Sequence, residues 1–574
     1  ADVAEADNMA KGDGIRYQSG TVNITGRDFL TMEAITGPTI GYAGMDDVIT
    51  ELGQNYSDGV NRAILHGTPY AKTFNGYNSD WPGWLPFGPS SFGSDYTYRN
   101  AYWDDIPAET GYMSRVQAVL QNGAALIDLA ALVDKEHTYD FESGNRFQNL
   151  LDAGYSYNLV SEATLAGANA VVEGGRLAPD GPAYKALIVD KVSILSLAGI
   201  WRLVDYANGG LPIVVFDSEI SRVFGSRTED DAAVQTKFTE LKGLPTVKTA
   251  STEAEIKDAL AELGVVSYAR YDAARLETTL YADPEDGTAY YYMFNNAYPE
   301  NSGMMGNNQG AYYKGEDKYV RDAMITLAGE GVPYLLDPHS GDIVPTAYTD
   351  NGDGTVTITL DWLAGGDSII IAVTTDTQNF PASKPIPAKK AALDAVDLSG
   401  GLWDLTIHSY GPDEDSSDPS VSKITVVDFG EQPLGKWKDI PATAEQLARL
   451  GVSDMRYVSG AGYYTAAFDA PDSWSGAYLD VAYGIDQIGS ITINGTAIPA
   501  NNASDRVDLG GLVMPGENTI TVKLTTSLYG RMFVENSGYA NSEYGMGGGF
   551  MAPVDPESYY NGLLSAKLVP YTLE

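Results

Sequence analysis

The sequence predicts a multidomain protein that is α/β in its first half and all-β in its second. Three observations support this. An apolar run, a helical pattern and a second apolar run follow one another within residues 29–70. Buried-type apolar runs then alternate with helical patterns in residues 124–275, and short, evenly spaced strand patterns fill most of residues 276–574. The 574 residues suffice for three to five domains.

The composition excludes several classes of function. The 77 acidic and 36 basic residues give a net charge of -41, which argues against nucleic acid as a partner. The chain has no cysteine, so disulfides, thiolate nucleophiles and cysteine-ligated zinc are excluded. No apolar run approaches the roughly 20 residues of a membrane span. The 38 Tyr and 8 Trp suit stacking on sugar rings, although packing within β-sheets accounts for them equally well.

The first α/β stretch places reactive side chains at the ends of two strands. Its pattern predicts a strand over Phe29–Glu33, a helix over Met45–Tyr56 and a strand over Ala63–His66, after a lead-in strand or loop at Lys11–Tyr17. Chemistry in such parallel units collects at the carboxyl ends of the strands. A carboxylate such as Glu33 is a candidate base or nucleophile for glycoside hydrolysis. A purely structural carboxylate is the alternative for this glutamate, and a core histidine is the alternative for His66.

Substrate-binding candidates surround these two residues. Asn61 and Arg62 precede the second strand and can donate hydrogen bonds. The long loop at about 71–107 is rich in aromatic residues, and loops of this length inside compact domains are usually functional. We assign substrate binding to Asn61, Arg62, Tyr70, Trp81, Trp84, Arg99, Trp103, Asp104 and Asp105, with packing as the alternative for each loop residue. A helix over Glu109–Leu120 follows and ends at Asn122 and Gly123.

Residues 124–275 predict an open, flavodoxin-like α/β domain. Buried parallel strands are expected at Ala124–Val133, Tyr184–Asp190 and Leu211–Asp217, with helices at Leu195–Asn208 and Thr252–Leu263. Gly209 and Gly210 end a helix instead of starting one, so no nucleotide site is inferred. A serine-hydrolase elbow and an HExxH zinc motif are also missing.

The remaining residues predict β-sandwiches. One is expected over 276–390 and another over 391–574, separated by the Pro/Lys-rich link Pro381–Lys390. The sequence Asn351–Gly354 predicts a tight hairpin turn. The acidic tips of the first sandwich resemble calcium loops, but their spacing fits no calcium-binding template, so turn chemistry is the favoured interpretation. The even strand spacing of the last module indicates a jelly roll.

Several short motifs together resemble glycoside hydrolase family 106, the α-L-rhamnosidases. They are Met32–Gly37, Asn61–Gly67, Pro82–Trp84, the Trp103 region, Tyr112 with Arg115, Tyr184–Asp190 with the β-rich tail, and a terminal module (Gly462–Thr465, Ile493–Gly495) that looks like a galactose-binding-type domain. The resemblance implies an inverting hydrolase with a glutamate acid and a glutamate base in a (β/α)8 barrel. Glu33 matches the later glutamate, the base. His66 is placed with it in the catalytic set.

The same resemblance implies that part of the barrel lies outside this sequence. Residues 1–123 hold only about two βα units by pattern, whereas a barrel needs eight. We therefore expect residues 1–123 to be the C-terminal part of a barrel whose other strands, with the acid, come from a second polypeptide. No cofactor is expected to be required, and calcium is possible because the family can use it. An extracellular or cell-surface bacterial location is expected.

Two other classes of function stay open at this point. A non-catalytic carbohydrate-binding subunit would follow if no partner supplies the acid. A structural cell-surface protein is suggested by the acidity and the β-rich tail. Release of sugar, glycan binding without release, and the absence of glycan binding distinguish the three hypotheses.

Overall fold

The computed structural model describes most of the chain. The described residues are 3–6, 12–34, 45–65, 81–82, 97–134, 144–223, 228–297, 319–376, 379–380, 386–418, 420–484, 487–498, 504, 506–535 and 560–574. They form four units along the chain, and no helix within them is both long and apolar enough to span a membrane.

The first unit alternates parallel strands with helices. Its elements are β1 (Ala4–Ala6), α1 (Asp13–Thr25), β2 (Leu30–Ala34), α2 (Met45–Ser57), β3 (Arg62–Leu65) and α3 (Ile106–Leu120). The sheet order is β1-β2-β3, with both pairs parallel. The described residues thus hold three βα units where the sequence pattern indicated about two.

Helix α1 accounts for this difference. A lead-in strand or loop was expected at residues 11–17, but residues 13–25 are helical. The buried face of α1 includes Arg16, Ser19 and Gly20 beside Ile15, so its apolar periodicity is weak. A Cβ on Gly20 would lie 2.2 Å from the carbonyl oxygen of Leu159, because the helix backbone packs directly on a strand of the second unit.

The second unit is built on five parallel strands. Its elements are β5 (Leu129–Val133), α4 (Gln148–Leu151), β6 (Tyr157–Val160), α5 (Glu162–Leu165), the small hairpin β7 (Val172–Glu173) and β8 (Arg176–Leu177), β9 (Ala186–Asp190), α6 (Leu197–Asn208), β10 (Ile213–Phe216), α7 (Asp231–Lys242), β11 (Val247–Ala250) and α8 (Glu253–Glu262). The spatial order β6-β5-β9-β10-β11 is the 2-1-3-4-5 order of flavodoxin-like sheets. As expected, α6 ends just before Gly209.

The single strand expected at Ala124–Val133 is wrong. The chain forms β4 (Ala124–Leu126), which joins an antiparallel sheet of the third unit, and then changes sheets to begin β5. Asp128 lies at the break and is 1% exposed. Its carboxylate accepts hydrogen bonds from the backbone N–H of Ser156 (3.1 Å) and from Lys185 Nζ (2.8 Å), which fixes the turn between the two strands.

The third unit consists of two antiparallel sheets. Its strands are β12 (Ala269–Arg270), β13 (Leu276–Ala282), β14 (Ala289–Asn295), β15 (Val320–Ala328), β16 (Val332–Leu336), β17 (Ile343–Pro345), β18 (Tyr348–Asp350), β19 (Thr355–Leu363) and β20 (Ser368–Thr374). The sheet orders are β17-β16-β20-β14-β13-β4 and β12-β15-β19-β18. The expected tight turn at residues 351–354 joins the antiparallel strands β18 and β19, with Gly352 and Gly354 at positive φ.

The fourth unit also packs two sheets around one core. Its elements are β21 (Lys390–Ala392), β22 (Val396–Asp397), β23 (Leu402–Pro412), β24 (Ser422–Pro433), α9 (Ala444–Leu450), β25 (Gly460–Ala470), β26 (Gly476–Tyr483), β27 (Gln487–Ile493), β28 (Thr496–Ile498), β29 (Arg506–Gly510), β30 (Gly516–Thr525), α10 (Tyr529–Glu535) and β31 (Leu563–Leu573). One sheet has the order β24-β23-β25-β30-β27-β28. The other has β21-β31-β26-β29, with β22 also paired to β31. The expected combination of α/β and all-β structure is confirmed.

A buried charge cluster joins the first three units. We call Arg16, Asp58 and Glu277 the junction cluster. A guanidinium nitrogen of Arg16 lies 2.8 Å from the Asp58 carboxylate and 2.7 Å from that of Glu277, and all three residues are at most 3% exposed. The second unit reaches the same point, since Asn145 Nδ2 donates to Glu277 at 2.8 Å. Three distant parts of the sequence are thereby fixed to one another.

A second ion pair occupies the crevice of the parallel α/β sheet. Ligands in such folds bind at the carboxyl edge where the strand order reverses, here between β5 and β9. At the end of β9, Asp190 pairs with Arg146 at 2.9 Å, and Arg146 also pairs with Asp13 of α1 at 3.2 Å. Tyr157 donates its hydroxyl to Asp13 at 2.5 Å. The start of α1 thus docks against this edge.

Candidate functional site

Among the described residues, helices cover one face of the three-stranded sheet of the first unit, and we call its other face the open face. Met32 and Ala34 of β2 are fully buried and pack in the same core as Val48 and Leu52 of α2. Since side chains alternate along a strand, the residues between them point away from the helices. The open face carries Glu5, Arg62 and Ile64, which are exposed, Glu33, which is half-buried, and Thr31, which is buried.

Glu33 lies at the carboxyl end of the middle strand on this open face. Its register partner on β3 is Ile64, whose side chain is 45% exposed. Isoleucine is usually buried, so its exposure next to a half-buried glutamate indicates a sheet face that another surface can cover. The arrangement leaves the carboxylate on a surface that a second layer of protein or a ligand can cover.

Glu5 is a second carboxylate on the open face, which sequence reasoning missed. It pairs in register with Thr31, whose hydroxyl donates to Glu5 Oε2 at 3.2 Å. Glu33 lies one strand across and two residues further along, so the two Cα atoms are about 8 Å apart by strand geometry. The signal was hidden because β1 has only three residues.

Asn61 and Arg62 lie at the opposite end of the strands from Glu33. The Asn61 side chain accepts from the Leu30 backbone N–H at 3.1 Å and donates to the Asp28 carbonyl at 2.8 Å, so it joins the amino ends of β2 and β3. The Arg62 guanidinium lies 5.5 Å from the centroid of the Phe29 ring. The structure does not bring either side chain to the Glu33 carboxylate. His66, Tyr70 and Trp84 lie outside the described residues.

The described part of the long loop docks on the fourth unit. Trp81 is 2% exposed and donates its indole N–H to Ser422 Oγ at 3.0 Å. Ser422 in turn donates its hydroxyl to the Arg99 carbonyl at 2.8 Å. We call Trp81, Arg99 and Ser422 the Ser422 anchor. The Trp81 indole is therefore an interdomain contact in this structure, and not the open platform for a sugar that was expected.

Asp105 makes a second contact with the fourth unit. Lys523 Nζ donates to both oxygens of its carboxylate, at 2.7 and 2.9 Å, and Thr525 Oγ1 donates at 3.0 Å. We call Asp105, Lys523 and Thr525 the Asp105 anchor. These three hydrogen bonds and its 9% exposure hold the Asp105 carboxylate against the fourth unit, so its role in the described structure is a contact between units.

Trp103 and Asp104 lie between the two anchors and remain accessible. The Trp103 side chain is 43% exposed, and Asp104 is exposed. Burial raises the pKa of Tyr410 to about 12, and the negative charge of Asp104 adds to this shift, which places the carboxylate near the β23 tyrosine. Of the predicted loop residues that the structure describes, these two best suit contact with a ligand.

The Tyr112 and Arg115 motif holds α3 to the third unit. The Tyr112 hydroxyl lies 2.7 Å from Ser368 Oγ, and Arg115 donates to the carbonyls of Pro338 and His339 at 2.5 and 3.0 Å. In the described structure Tyr112 and Arg115 therefore hold the first and third units together.

A cavity of about 500 Å³ opens at the amino ends of the strands. Its lining includes Asp28, Asn61, Gln121 and Tyr157, together with the Arg16 and Asp58 side chains of the junction cluster; Glu33 does not line it. Chemistry in parallel βα units belongs to the carboxyl ends. We therefore place the candidate site on the open face around Glu33 and assign the cavity to the junction between units.

Comparison with known proteins decides the family. The model of glycoside hydrolase family 106, alpha-L-rhamnosidase, matches residues 2–302, just over half of the chain. The chain belongs to glycoside hydrolase family 106. The match covers the first unit, the parallel α/β unit and the start of the third, and it confirms the resemblance carried by the short motifs.

Solved structures show the fold that this family 106 chain shares. A rhamnosidase from Novosphingobium sp. PP1Y superposes with a TM-score of 0.63 at 16% identity, covering 99% of this chain and 51% of that one. The chain thus spans about half the length of that rhamnosidase. An exo-carrageenase of family 42 from Bacteroides ovatus superposes with a TM-score of only 0.33 at 12% identity, covering 62% of this chain and 44% of that one. An alpha-L-fucosidase from Paenibacillus thiaminolyticus superposes with a TM-score of 0.34 at 9% identity, covering 63% of this chain and 62% of that one. No curated protein matches the sequence.

The described residues of this family 106 chain offer no recognisable set of calcium ligands. Among the described residues, no group of three or more histidines and carboxylates is arranged to hold a metal ion. In the turn at residues 351–354 the one carboxylate, that of Asp353, accepts a hydrogen bond from the Thr355 backbone N–H at 3.1 Å, as expected for turn chemistry. Calcium therefore stays a prediction without ligands.

Proposed function

We propose that this chain forms part of an inverting glycoside hydrolase that removes terminal α-L-rhamnose, or a similar sugar, from a glycan or glycoside. Membership of family 106 supports the reaction class. The observation that carries the catalytic assignment is the position of Glu33, at the carboxyl end of the middle strand and on the open face of its sheet. In this role Glu33 is the general base that removes a proton from the attacking water.

The general acid is proposed to come from polypeptide outside these residues. In inverting hydrolases the two carboxyl groups lie roughly 6.5–9.5 Å apart, with room for water between them. The strands that would complete a (β/α)8 barrel would cover the open face and bury Ile64. We propose that they belong to a second polypeptide, so that the active enzyme is a heteromer. The acid would then face Glu33 across the barrel.

Trp103 and Asp104 are proposed to contact the substrate, Trp103 by stacking on a sugar ring and Asp104 by accepting a hydrogen bond from a sugar hydroxyl. His66, Tyr70 and Trp84 keep the roles predicted from the sequence as part of this proposal. The fourth unit is proposed to be a galactose-binding-like jelly roll that holds the glycan. A secreted or cell-surface enzyme of a bacterium fits these roles.

Replacing Glu33 by glutamine tests the catalytic assignment. In the assembled enzyme, with 4-nitrophenyl α-L-rhamnopyranoside as substrate, Glu33→Gln should lower kcat by about 10²- to 10⁴-fold, the usual contribution of a general base. Binding of L-rhamnose, measured by calorimetry, should change less than about threefold because the isosteric amide keeps the shape of the site. Unchanged turnover would remove Glu33 from the mechanism.

Glu5→Gln is the matched control, because Glu5 lies on the same sheet face as Glu33 but pairs with Thr31, two residues nearer the amino end of the sheet. It should retain most of the parent activity if the acid comes from outside the chain. If Glu5→Gln alone abolishes turnover, the acid lies within these residues. NMR of the first product should show the inverted anomer, and retention would contradict the inverting mechanism. Glycan binding without any release of sugar would instead favour a carbohydrate-binding subunit.

A further inference from the structure

The loop that leads into α3 belongs to the catalytic end of the first unit by topology. It leaves the carboxyl end of β3 and ends where α3 begins, at Ile106. Loops in this position form the active sites of βα barrels. Its exposed residues Trp103 and Asp104 therefore lie on the side of the sheet where Glu33 ends its strand.

Two anchors from the fourth unit flank these exposed residues. The Ser422 anchor holds the loop at Trp81 and Arg99, and the Asp105 anchor holds it immediately after Asp104. A third contact, from the Tyr98 hydroxyl to Asp418 Oδ2 at 3.2 Å, lies on the same side. The position of the segment is thus set by a different unit of the protein.

The Asp105 anchor is tightly fitted. Lys523 and Asp105 side chains are 12% and 9% exposed, so the pair is largely shielded from water and from salt. Gly489 of β27 lies against it: a Cβ there would be 2.6 Å from Asp105 Oδ2 and 2.7 Å from Thr525 Oγ1. Only glycine leaves room for the carboxylate at this place.

We propose that the fourth unit positions the substrate-binding loop, with Lys523 as the positioning residue that fixes Trp103 and Asp104 through Asp105. This rests on the proposed function, because it assigns a role in substrate binding to those two side chains. Lys523 itself does not touch the substrate. The fourth unit then contributes to the affinity of the enzyme for its sugar, in addition to any glycan it binds on its own.

Replacing Lys523 separates this role from a merely structural one. In the assembled enzyme, Lys523→Met should raise KM for the aryl rhamnoside about tenfold while kcat stays within about threefold. Lys523→Arg, which keeps the charge, should restore most of the affinity. A structural role alone would lower the amount of active enzyme, and so the apparent kcat, without moving KM. Lys390→Met removes another lysine–aspartate pair of the same unit, with Asp508, and should change neither constant.

Hydrogen exchange gives a readout that does not depend on activity. Amide exchange across residues 97–105 should be at least about tenfold faster in Lys523→Met and in Gly489→Ala, which keeps every charge but displaces the carboxylate. Unchanged exchange in both variants overturns the inference whether or not the enzyme hydrolyses rhamnosides. Faster exchange with an unchanged KM would overturn the role in substrate binding. A parent enzyme that fails to hydrolyse the substrate would refute the proposed function and leave the exchange test standing.

Discussion

At the scale of single residues, the junction cluster shows how burial and charge compete. Arg16 lies between two buried carboxylates, so the cluster carries one negative charge in excess when all three groups are ionised. Burial raises the pKa of Asp58 to about 7, because the loss of hydration outweighs the attraction of Arg16 and the charge of Glu277 acts in the same direction as burial. The folded protein therefore favours the protonated form of Asp58 more than water does.

This raised pKa predicts a pH-dependent stability difference for Asp58→Asn. An aspartate in the unfolded chain has a pKa near 3.9. The folded state thus holds a proton that the unfolded state has already released, and the stability from this group is present below about pH 4 and lost as the pH rises towards 7. The asparagine variant has no such loss. We therefore compare the free energies of unfolding of the variant and the parent at each pH. The value for the variant minus that for the parent should rise by on the order of 2 kcal/mol between pH 5 and pH 8.

Denaturant unfolding at pH 5, 6, 7 and 8 measures this difference. Asp28→Asn is the control, because Asp28 is an exposed aspartate that lines the same cavity. Its difference from the parent should stay level over this range. A level difference for Asp58→Asn as well would show that Asp58 is ionised in the folded protein throughout.

At the scale of elements, helix α1 depends on an unusually close contact. Gly20 brings its backbone against β6, where a Cβ would lie 2.2 Å from the Leu159 carbonyl oxygen. The backbone carbonyl of a β-strand cannot move aside as the end of a side chain can. The spacing between α1 and the parallel sheet is therefore set by the smallest residue in the helix.

Gly20→Ala should consequently destabilise the protein by about 3 kcal/mol, near the upper end for overpacking, although alanine is the better helix former. Gly111→Ala in α3 is the matched control. There the nearest neighbour of the new Cβ is a guanidinium nitrogen of Arg115 at 3.1 Å, which has to shift by only a few tenths of an ångström, so helix propensity should offset the contact and stability should change by less than about 1 kcal/mol. Thermal unfolding of both variants decides between them. A Gly20→Ala protein as stable as the parent would show that α1 is not packed this tightly.

The same helix shows where prediction from sequence succeeds and fails. The predicted and observed bounds of α2 differ by one residue, because its apolar positions repeat with helical spacing. Helix α1 was missed because it buries an arginine, a serine and a glycine, whose partners lie far along the chain. The break at Asp128 was missed for a similar reason, since only the fold shows that the two halves of one apolar run belong to different sheets.

The candidate site was predictable to a comparable degree. The position of Glu33 at a strand end follows from local pattern and is confirmed. The anchoring of Trp81 and Asp105 to the fourth unit could not be read from the sequence, because Ser422 and Lys523 lie more than 300 residues away. Residue type alone suggests a sugar contact for a loop tryptophan or aspartate, and the tertiary partner decides whether the side chain is free to make one.

At the scale of the whole molecule, the open face of the first unit predicts a partner. Ile64 is 45% exposed on a sheet face that also carries Glu33. Under the proposed function, strands that complete a (β/α)8 barrel would cover this face. The protein purified from its source should therefore copurify with a second polypeptide. Native mass spectrometry should give a complex heavier than the 61.4 kDa of this chain that separates into two different polypeptides on denaturation.

The isolated chain provides the control for this prediction. Alone it should show no measurable hydrolysis of the aryl rhamnoside, and addition of the partner should restore turnover. A species of 61.4 kDa with full activity would contradict the requirement for a second chain.

The ion pairs of Arg146 have a consequence for engineering. The place where a doubly wound sheet usually receives a small molecule is filled here by Arg146, Asp13 and Asp190, which tie α1 to the sheet. A small molecule that bound at this place would have to break the pair between Arg146 and Asp13. It would thereby loosen the contact of α1, and of the strands next to α1, with the parallel sheet. Shortening Arg146 would create a vacancy of known shape and charge. The parallel α/β unit thereby offers a starting point for engineering a protein whose first unit responds to an added small molecule.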